Sequence, residues 1–157
     1  MNTYRKVIFV CLGNTCRSPM AATIMENLLQ GKDILVGSRG MVVLFPEPYN
    51  PKAVAVAASY GLIMPSNNAV QIDSRDFGSD TLVLVMNQGM KQKLYDTFDR
   101  AINVYTLCEF VREPEEEVAD PYGRGADEYK ACFEKLQFLV SKAAQRIIDN
   151  MNEEEEN

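Results

Sequence analysis

A cysteine and an arginine stand close together in the segment 11–18, which reads Cys-Leu-Gly-Asn-Thr-Cys-Arg-Ser. A cysteine thiolate is a strong nucleophile, and the planar guanidinium of arginine can hold two oxygens of a phosphoryl group at once. The chain contains no histidine, which excludes Ser–His, Cys–His and histidine–metal mechanisms. The spacing of Cys11 and Arg17 therefore predicts attack by a thiolate on a phosphoryl group, without an imidazole base.

The residues that follow Cys11 suit a loop that binds an anion through its backbone. Glycine and asparagine tolerate left-handed backbone angles, so Gly13 and Asn14 could curl the loop and direct its N–H groups at one point. Ser18 as N-cap, followed by Pro19, predicts the start of a helix whose positive dipole end adds to the attraction. Such a site favours a thiolate at Cys11, and Ser18 can donate a hydrogen bond to the sulfur.

A thiolate that attacks phosphorus needs a second group that protonates the departing atom. A carboxylic acid can supply that proton and, once ionised, activate water against the phosphocysteine. Asp120 is the best candidate, because Pro121 and Gly123 place it in a stiff loop before the last predicted helix. On spacing alone, the Asp-Pro pair would sooner indicate a plain turn. Tyr122 could form a wall of the pocket or pack on the surface.

The rest of the chain must position these groups, and its pattern predicts how. Short apolar runs alternate with longer amphipathic segments, which indicates a parallel sheet with helices on both faces. The first loop then lies at the carboxyl end of a strand, where such sheets bind ligands. Strands are predicted over 6–10, from 34, over 80–86 and over 102–107, and helices over 19–29, 51–60, 88–98 and 126–150. We expect one domain over 1–151 and an acidic disordered tail over 152–157.

Composition and charge restrict the partners and the location. Much of the net charge of −6 comes from the run 153–156, and no basic face is evident that would favour nucleic acid or an anionic membrane. The first residues lack the apolar stretch and cleavage site of a signal peptide, and no apolar run is long enough to span a bilayer. The predicted location is therefore the cytoplasm, where structural disulfides among the four cysteines are disfavoured.

Cys16 shares the loop with Cys11, and two interpretations of it are equally supported. Oxidation could join the two sulfurs reversibly and protect the nucleophile from higher oxidation states. Alternatively, Cys16 is a small apolar residue that fills space. Cys108 and Cys132 are predicted to be core or half-exposed residues without a chemical role.

The segment 7–21 resembles the signature of the low-molecular-weight protein phosphatase family, and Asp-Pro-Tyr-Gly at 120–123 resembles the acid loop of that family. The similarity extends over nearly the whole chain, about 6–148. It implies an α/β fold in three layers, with a doubly wound, four-stranded parallel sheet that carries helices on both faces. It also implies a phosphocysteine intermediate and no metal or other cofactor.

The resemblance assigns the same chemical roles that the residues suggest. Cys11 is the nucleophile, Arg17 binds the phosphate and the transition state, Asp120 is the general acid and base, and Ser18 stabilises the thiolate. The expected substrate-binding residues are Leu12, Gly13, Asn14, Thr15, Cys16 and Tyr122. The expected partners are a phosphorylated protein and, in the loop, phosphate or another oxyanion, with neither nucleic acid nor membrane.

Two substrate classes are open within the family. Most members act on phosphotyrosine, whereas a bacterial branch acts on phosphoarginine and has threonine where tyrosine-directed members usually have an aliphatic residue. Thr15 resembles that branch, although a threonine that merely packs in the wall is equally consistent. The aromatic residue that tyrosine-directed members place over the substrate has no clear match; Leu44, Phe45 and Tyr49 are the candidates.

Two other functions would use the same loop. Thiol-coupled arsenate reductases share the fold, but they need a further cysteine pair after the third strand, and the segment 87–100 contains no cysteine. An inactive reader of phosphoproteins would have no need of Cys11, Arg17 and Asp120 together. A cysteine-dependent phosphatase is therefore the leading hypothesis.

Overall fold

The computed structural model describes residues 3–116 and 118–156. Four strands form one parallel sheet in the order β2–β1–β3–β4. The central strand β1 pairs with β2 on one side and with β3 on the other, and β3 also pairs with β4. The strands are β1 (Lys6–Cys11), β2 (Leu35–Gly40), β3 (Thr81–Val85) and β4 (Val104–Thr106). The predicted α/β class with a four-stranded parallel sheet is confirmed.

Helices cover both faces of this sheet. They are α1 (Arg17–Leu28), α2 (Pro51–Ser59), α3 (Gln88–Thr97), α4 (Leu107–Phe110) and α5 (Ala126–Glu156), with a 3-10 helix at Ser74–Asp76. Alternate residues of β1 point to opposite faces, so Val7 and Phe9 join the core under α1 and α5 while Ile8 and Val10 join the core under α3. Because β1 is covered on both sides, Val7 to Val10 are fully buried, which explains their continuous apolar sequence.

The start of α1 differs from the prediction, and the difference bears on the site. The helix begins at Arg17, and its N-cap residue is Cys16. Ser18 was predicted to be the N-cap but lies inside the first turn of the helix. The hydroxyl of Ser18 lies 3.0 Å from the sulfur of Cys11, which is the contact expected of this residue from the sequence. Pro19 is tolerated there because N–H groups of a first helical turn have no intrahelical partner.

The end of β4 also differs, because Leu107 begins α4 instead of ending the strand. Thr106 caps that helix: its side chain accepts the N–H of Glu109, and the Glu109 carboxylate accepts the N–H of Thr106 at 2.9 Å. This reciprocal pair is a capping box, which stops the strand and starts the helix.

The last helix continues through Glu156, so residues 152–156 are helical and differ from the predicted disordered tail. Glutamate is a good helix former, and neither glycine nor proline interrupts the segment. Asn157 of the predicted tail lies outside the described residues, and the domain boundary at 151 stays a prediction. Within the described chain, no helix combines the length and the apolar character that crossing a membrane requires.

Candidate active site

A cleft of about 500 Å³ opens at the carboxyl end of β1. Most of the predicted site residues line it: Cys11, Leu12, Gly13, Thr15, Cys16, Arg17, Asp120 and Tyr122. The segment after β2 supplies the rest of the lining, with Val42, Val43, Leu44, Phe45 and Glu47. A larger groove of about 730 Å³ lies at the amino end of the sheet, but no cysteine lines it. The smaller cleft is therefore the candidate active site.

The sulfur of Cys11 has two polar neighbours from one residue of α1. It lies 3.0 Å from the hydroxyl oxygen of Ser18 and accepts the backbone N–H of Ser18 at 3.3 Å. Cys11 itself is 3% exposed, at the base of the cleft. The Ser18 hydroxyl also donates to the carbonyl of Arg39 at 3.2 Å, and its single proton would turn to the sulfur if the sulfur were ionised, because an ionised sulfur can only accept hydrogen bonds. The first turn of α1 adds the positive end of its dipole, which stabilises a negative charge at this point.

Asn14 does not line the cleft; its buried side chain stabilises the loop through hydrogen bonds. Its side chain is fully buried, and its amide nitrogen donates to the hydroxyls of Ser18 at 2.8 Å and Ser38 at 2.9 Å. Its amide oxygen accepts the N–H of Val70 at 2.9 Å. Asn14 takes the predicted left-handed angle, with a φ of 57°, whereas Gly13 does not. The loop therefore curls at one residue, and that residue also fixes the hydroxyl beside the sulfur.

The end of β2 packs directly against the loop. The N–H of Met41 donates to the carbonyl of Cys11 at 2.8 Å, and the N–H of Val42 donates to the carbonyl of Leu12 at 3.0 Å. A Cβ at Gly40 would lie 3.0 Å from the carbonyl carbon of Gly13, tighter than ordinary packing allows. Such a Cβ would also lie 2.6 Å from a methyl group of Val43, so a side chain at Gly40 would displace Val43 or the loop, and the chain after β2 packs closely against the loop that begins at Cys11.

Arg17 and Asp120 meet at the cleft although they are far apart in the sequence. The guanidinium of Arg17, whose residue is 3% exposed, donates to the carbonyl of Val118 at 2.9 Å. Its other terminal nitrogen lies 3.4 Å from a carboxylate oxygen of Asp120. The second carboxylate oxygen of Asp120 accepts the N–H of Tyr122 at 3.1 Å. The arrangement places a fixed cation inside the cleft and a half-exposed carboxylate at its mouth.

The other thiols near the loop remain protonated at neutral pH. Burial raises the pKa of the Cys16 thiol, and its sulfur lies 3.3 Å from the hydroxyl of Tyr129. Burial raises the pKa of the Cys132 thiol to about 12. Neither thiol is therefore ionised at neutral pH. Reversible oxidation between Cys11 and Cys16 stays a prediction.

The wall contributed by the segment after β2 could not be deduced from periodicity. Of the three candidates for the residue above the substrate, Leu44 and Phe45 line the cleft, whereas Tyr49 packs against the core. Phe45 and Tyr122 are each more than two-thirds exposed, so the mouth has an apolar rim. Glu47 also lines this wall and was missed; the prolines on either side of it were the available signal of a stiff segment.

Comparison with known proteins extends over nearly the whole chain. Residues 6–155 match the family model described as low molecular weight phosphotyrosine protein phosphatase. The low molecular weight protein-tyrosine-phosphatase PtpB of Staphylococcus epidermidis is 36% identical over 138 residues, covering 87% of this chain and 95% of that protein. The protein-arginine-phosphatase of Bacillus subtilis is 34% identical over 145 residues, which cover 90% of this chain and 95% of that protein. The crystal structure of a low molecular weight protein tyrosine phosphatase from T. tengcongensis is similar with a TM-score of 0.83 at 34% identity, covering 90% and 98%.

Proposed function

The chain belongs to the low molecular weight phosphotyrosine protein phosphatase family, and on that premise we propose that Cys11 attacks the phosphorus of a phosphorylated protein side chain. The observation that carries the proposal is the sulfur of Cys11, buried at the base of a cleft with the hydroxyl of Ser18 at 3.0 Å and its N–H at 3.3 Å. The simplest test is hydrolysis of para-nitrophenyl phosphate by the purified protein. Absence of turnover would contradict the proposal.

In the first step the thiolate of Cys11 forms a bond to phosphorus while the bond from phosphorus to the substrate oxygen or nitrogen breaks. Arg17 binds two of the equatorial phosphoryl oxygens through its fork, and the loop N–H groups bind the developing charge. Asp120, protonated at this stage, gives its proton to the departing atom. The product is a phosphocysteine and the free side chain of the substrate.

In the second step water replaces the sulfur. The carboxylate of Asp120 takes a proton from the water, whose oxygen forms a bond to phosphorus while the sulfur–phosphorus bond breaks. The sulfur leaves as a thiolate, and the Ser18 hydroxyl donates a hydrogen bond to it. Inorganic phosphate leaves the loop, and Asp120 regains the proton that the next cycle requires.

Asp120→Asn is expected to lower kcat by about 10²- to 10⁴-fold on substrates with poor leaving groups, since asparagine keeps an oxygen for the Tyr122 N–H but cannot give a proton. The decrease in kcat on para-nitrophenyl phosphate should be smaller, because the nitrophenolate leaving group needs little protonation. The measurement is kcat on an alkyl or peptide phosphate beside kcat on the aryl ester. Asp99→Asn, an exposed control, should keep the activity. If kcat fell by the same factor on both substrates, Asp120 would not be the general acid.

Two substrates are supported by different observations. An aromatic ring, as in phosphotyrosine, suits the apolar rim of Leu44, Phe45 and Tyr122, and the relative PtpB is named a protein-tyrosine-phosphatase. A guanidino group, as in phosphoarginine, suits the hydroxyl of Thr15 in the cleft wall, and another relative is named a protein-arginine-phosphatase. We take phosphotyrosine as the first candidate and phosphoarginine as the second.

Thr15→Ile tests the second candidate. If the hydroxyl of Thr15 binds a guanidino N–H, its loss should lower kcat/KM on a phosphoarginine peptide by about tenfold and leave a phosphotyrosine peptide unchanged or improved. Thr97→Ile, at an exposed position on α3, is the matched control. If the ratio of the two efficiencies does not change in Thr15→Ile, Thr15 does not select the substrate.

We also propose that the protein works in the cytoplasm. A thiolate nucleophile with a second cysteine on the same loop functions only where thiols stay reduced, and the cytoplasm is such a compartment. Recovery of the native protein only outside the cytoplasmic fraction of its cells would contradict this location.

A further inference from the structure

The charges that line the cleft are not all paired. Among the described residues of its wall, Arg17 supplies the cation and Glu47 and Asp120 supply the carboxylates. Arg17 lies 3.4 Å from the carboxylate of Asp120. The Glu47 carboxylate, in contrast, forms no hydrogen bond and no ion pair with any residue in 3–116 or 118–156. One exposed carboxylate of the cleft therefore lacks a counter-charge.

The backbone presents this carboxylate from a stiff segment. Glu47 stands between Pro46 and Pro48, which restrict the backbone angles on both sides of it. The N–H of Ala69 donates to the carbonyl of Glu47 at 2.6 Å, so this segment is also fixed by a residue far along the chain. The N–H of Asn50 donates to the carbonyl of Thr15 at 2.9 Å, which ties the segment to the catalytic loop. Little backbone freedom is then lost when Glu47 binds a ligand.

A phosphorylated substrate brings a dianion into a cleft that already holds two carboxylates. Arg17 and the loop N–H groups offset the charge at the phosphoryl end. Glu47 lines the same cleft, so when the substrate carries no cation the Glu47 carboxylate and the phosphoryl group repel each other, because like charges interact unfavourably. A cation between them would attract both the carboxylate and the phosphoryl group, and these two attractions would offset the repulsion.

We propose that Glu47 binds a cationic group of the substrate, a guanidinium or an ammonium, next to the phosphoryl group held by the loop. This inference rests on the proposed function and names the substrate chemistry of the same site. Glu47 is exposed, so its effect is the modest one of a solvated ion pair, about fivefold in kcat/KM. Glu47 acts as a specificity-determining residue and takes no part in the chemical steps.

The cation could come from two places on a protein substrate. It is the phosphorylated guanidino group itself if the substrate is phosphoarginine. It is a lysine or arginine beside the phosphorylated residue if the substrate is phosphotyrosine. Three peptides distinguish these sources: a phosphoarginine peptide without other basic residues, a phosphotyrosine peptide with one adjacent arginine, and a phosphotyrosine peptide without basic residues.

The experiment compares kcat/KM of the wild type, Glu47→Gln and Glu26→Gln on these peptides at low and at high salt. Glu26 is an exposed residue of α1 that does not line the cleft, so Glu26→Gln is the matched control. Glu47→Gln should lower kcat/KM about fivefold on the cationic substrate and leave it equal or slightly raised on the peptide without basic residues, and high salt should shrink the difference. Equal melting temperatures would show that both variants fold.

Each outcome decides the proposal. A loss on the phosphoarginine peptide alone assigns the cation to the phosphorylated group, and a loss on the arginine-flanked peptide alone assigns it to a neighbouring residue. A loss on both of these peptides supports the same carboxylate–cation contact. Equal effects on all three peptides, or no effect on any, would overturn it. If the wild type hydrolyses neither these peptides nor para-nitrophenyl phosphate, the proposed function itself fails, and this inference fails with it.

Discussion

Replacing Cys11 by serine is expected to lower kcat on para-nitrophenyl phosphate by at least about 10⁴-fold, because a serine hydroxyl stays protonated at neutral pH and the chain contains no histidine to activate it. Binding of inorganic phosphate should persist, because the loop N–H groups and Arg17 remain in place. Steady-state kinetics measure the first effect, and isothermal titration with phosphate measures the second.

Cys108→Ser provides the matched control. Cys108 is also a buried cysteine, and its thiol donates to the carbonyl of Glu116 at 3.4 Å, outside the cleft. This variant makes the same chemical change in a comparable environment and should keep its activity. If Cys11→Ser turned over normally, or if both variants lost activity to the same extent, the sulfur of Cys11 would not be the nucleophile.

Replacing Arg17 by lysine should lower kcat by about 10³-fold, although the positive charge is kept. Lysine is a compact charge without the planar fork, so it cannot bind two equatorial oxygens with the parallel geometry that arginine provides while charge redistributes in the transition state. The KM for the phosphate ester should rise by a smaller factor, because part of the electrostatic attraction remains. The measurement is kcat and KM determined separately on para-nitrophenyl phosphate.

Arg146→Lys is the control for Arg17→Lys. Arg146 also donates from its guanidinium to a backbone carbonyl, that of Phe110, and it lies outside the cleft. Arg146→Lys should change the free energy of unfolding by about as much as Arg17→Lys does, and it should leave kcat unchanged. If Arg17→Lys retained nearly full kcat, or if Arg146→Lys lost as much, the planar fork of Arg17 would have no special part in the reaction.

Much of the fold could be predicted because burial leaves a direct record in the sequence. The continuous apolar run of β1 and the amphipathic pattern of α5 each reflect which faces are covered. The boundaries were less accurate where tertiary contacts compete with local signals. Ser18 is a good N-cap by type, yet its hydroxyl contacts the Cys11 sulfur and the helix begins earlier.

The loop could also be read from the sequence, but the wall that faces it could not. Residues 11–18 are contiguous, so their chemistry is visible in one short segment. Leu44, Phe45 and Glu47 reach the cleft only because backbone hydrogen bonds hold the chain after β2 against the loop. Asn14 was expected to shape the turn, and its amide bonds to Ser18, Ser38 and Val70 became evident only in three dimensions.

The most direct test of the mechanism is to trap the covalent intermediate during turnover. A phosphate ester labelled in its phosphoryl group is mixed with the wild type, the reaction is stopped within milliseconds, and the label is located by peptide mapping. We expect the label on the sulfur of Cys11, and none on that residue's peptide in Cys11→Ala. Rapid turnover with no label on any cysteine, or with the label on another residue, would contradict the account.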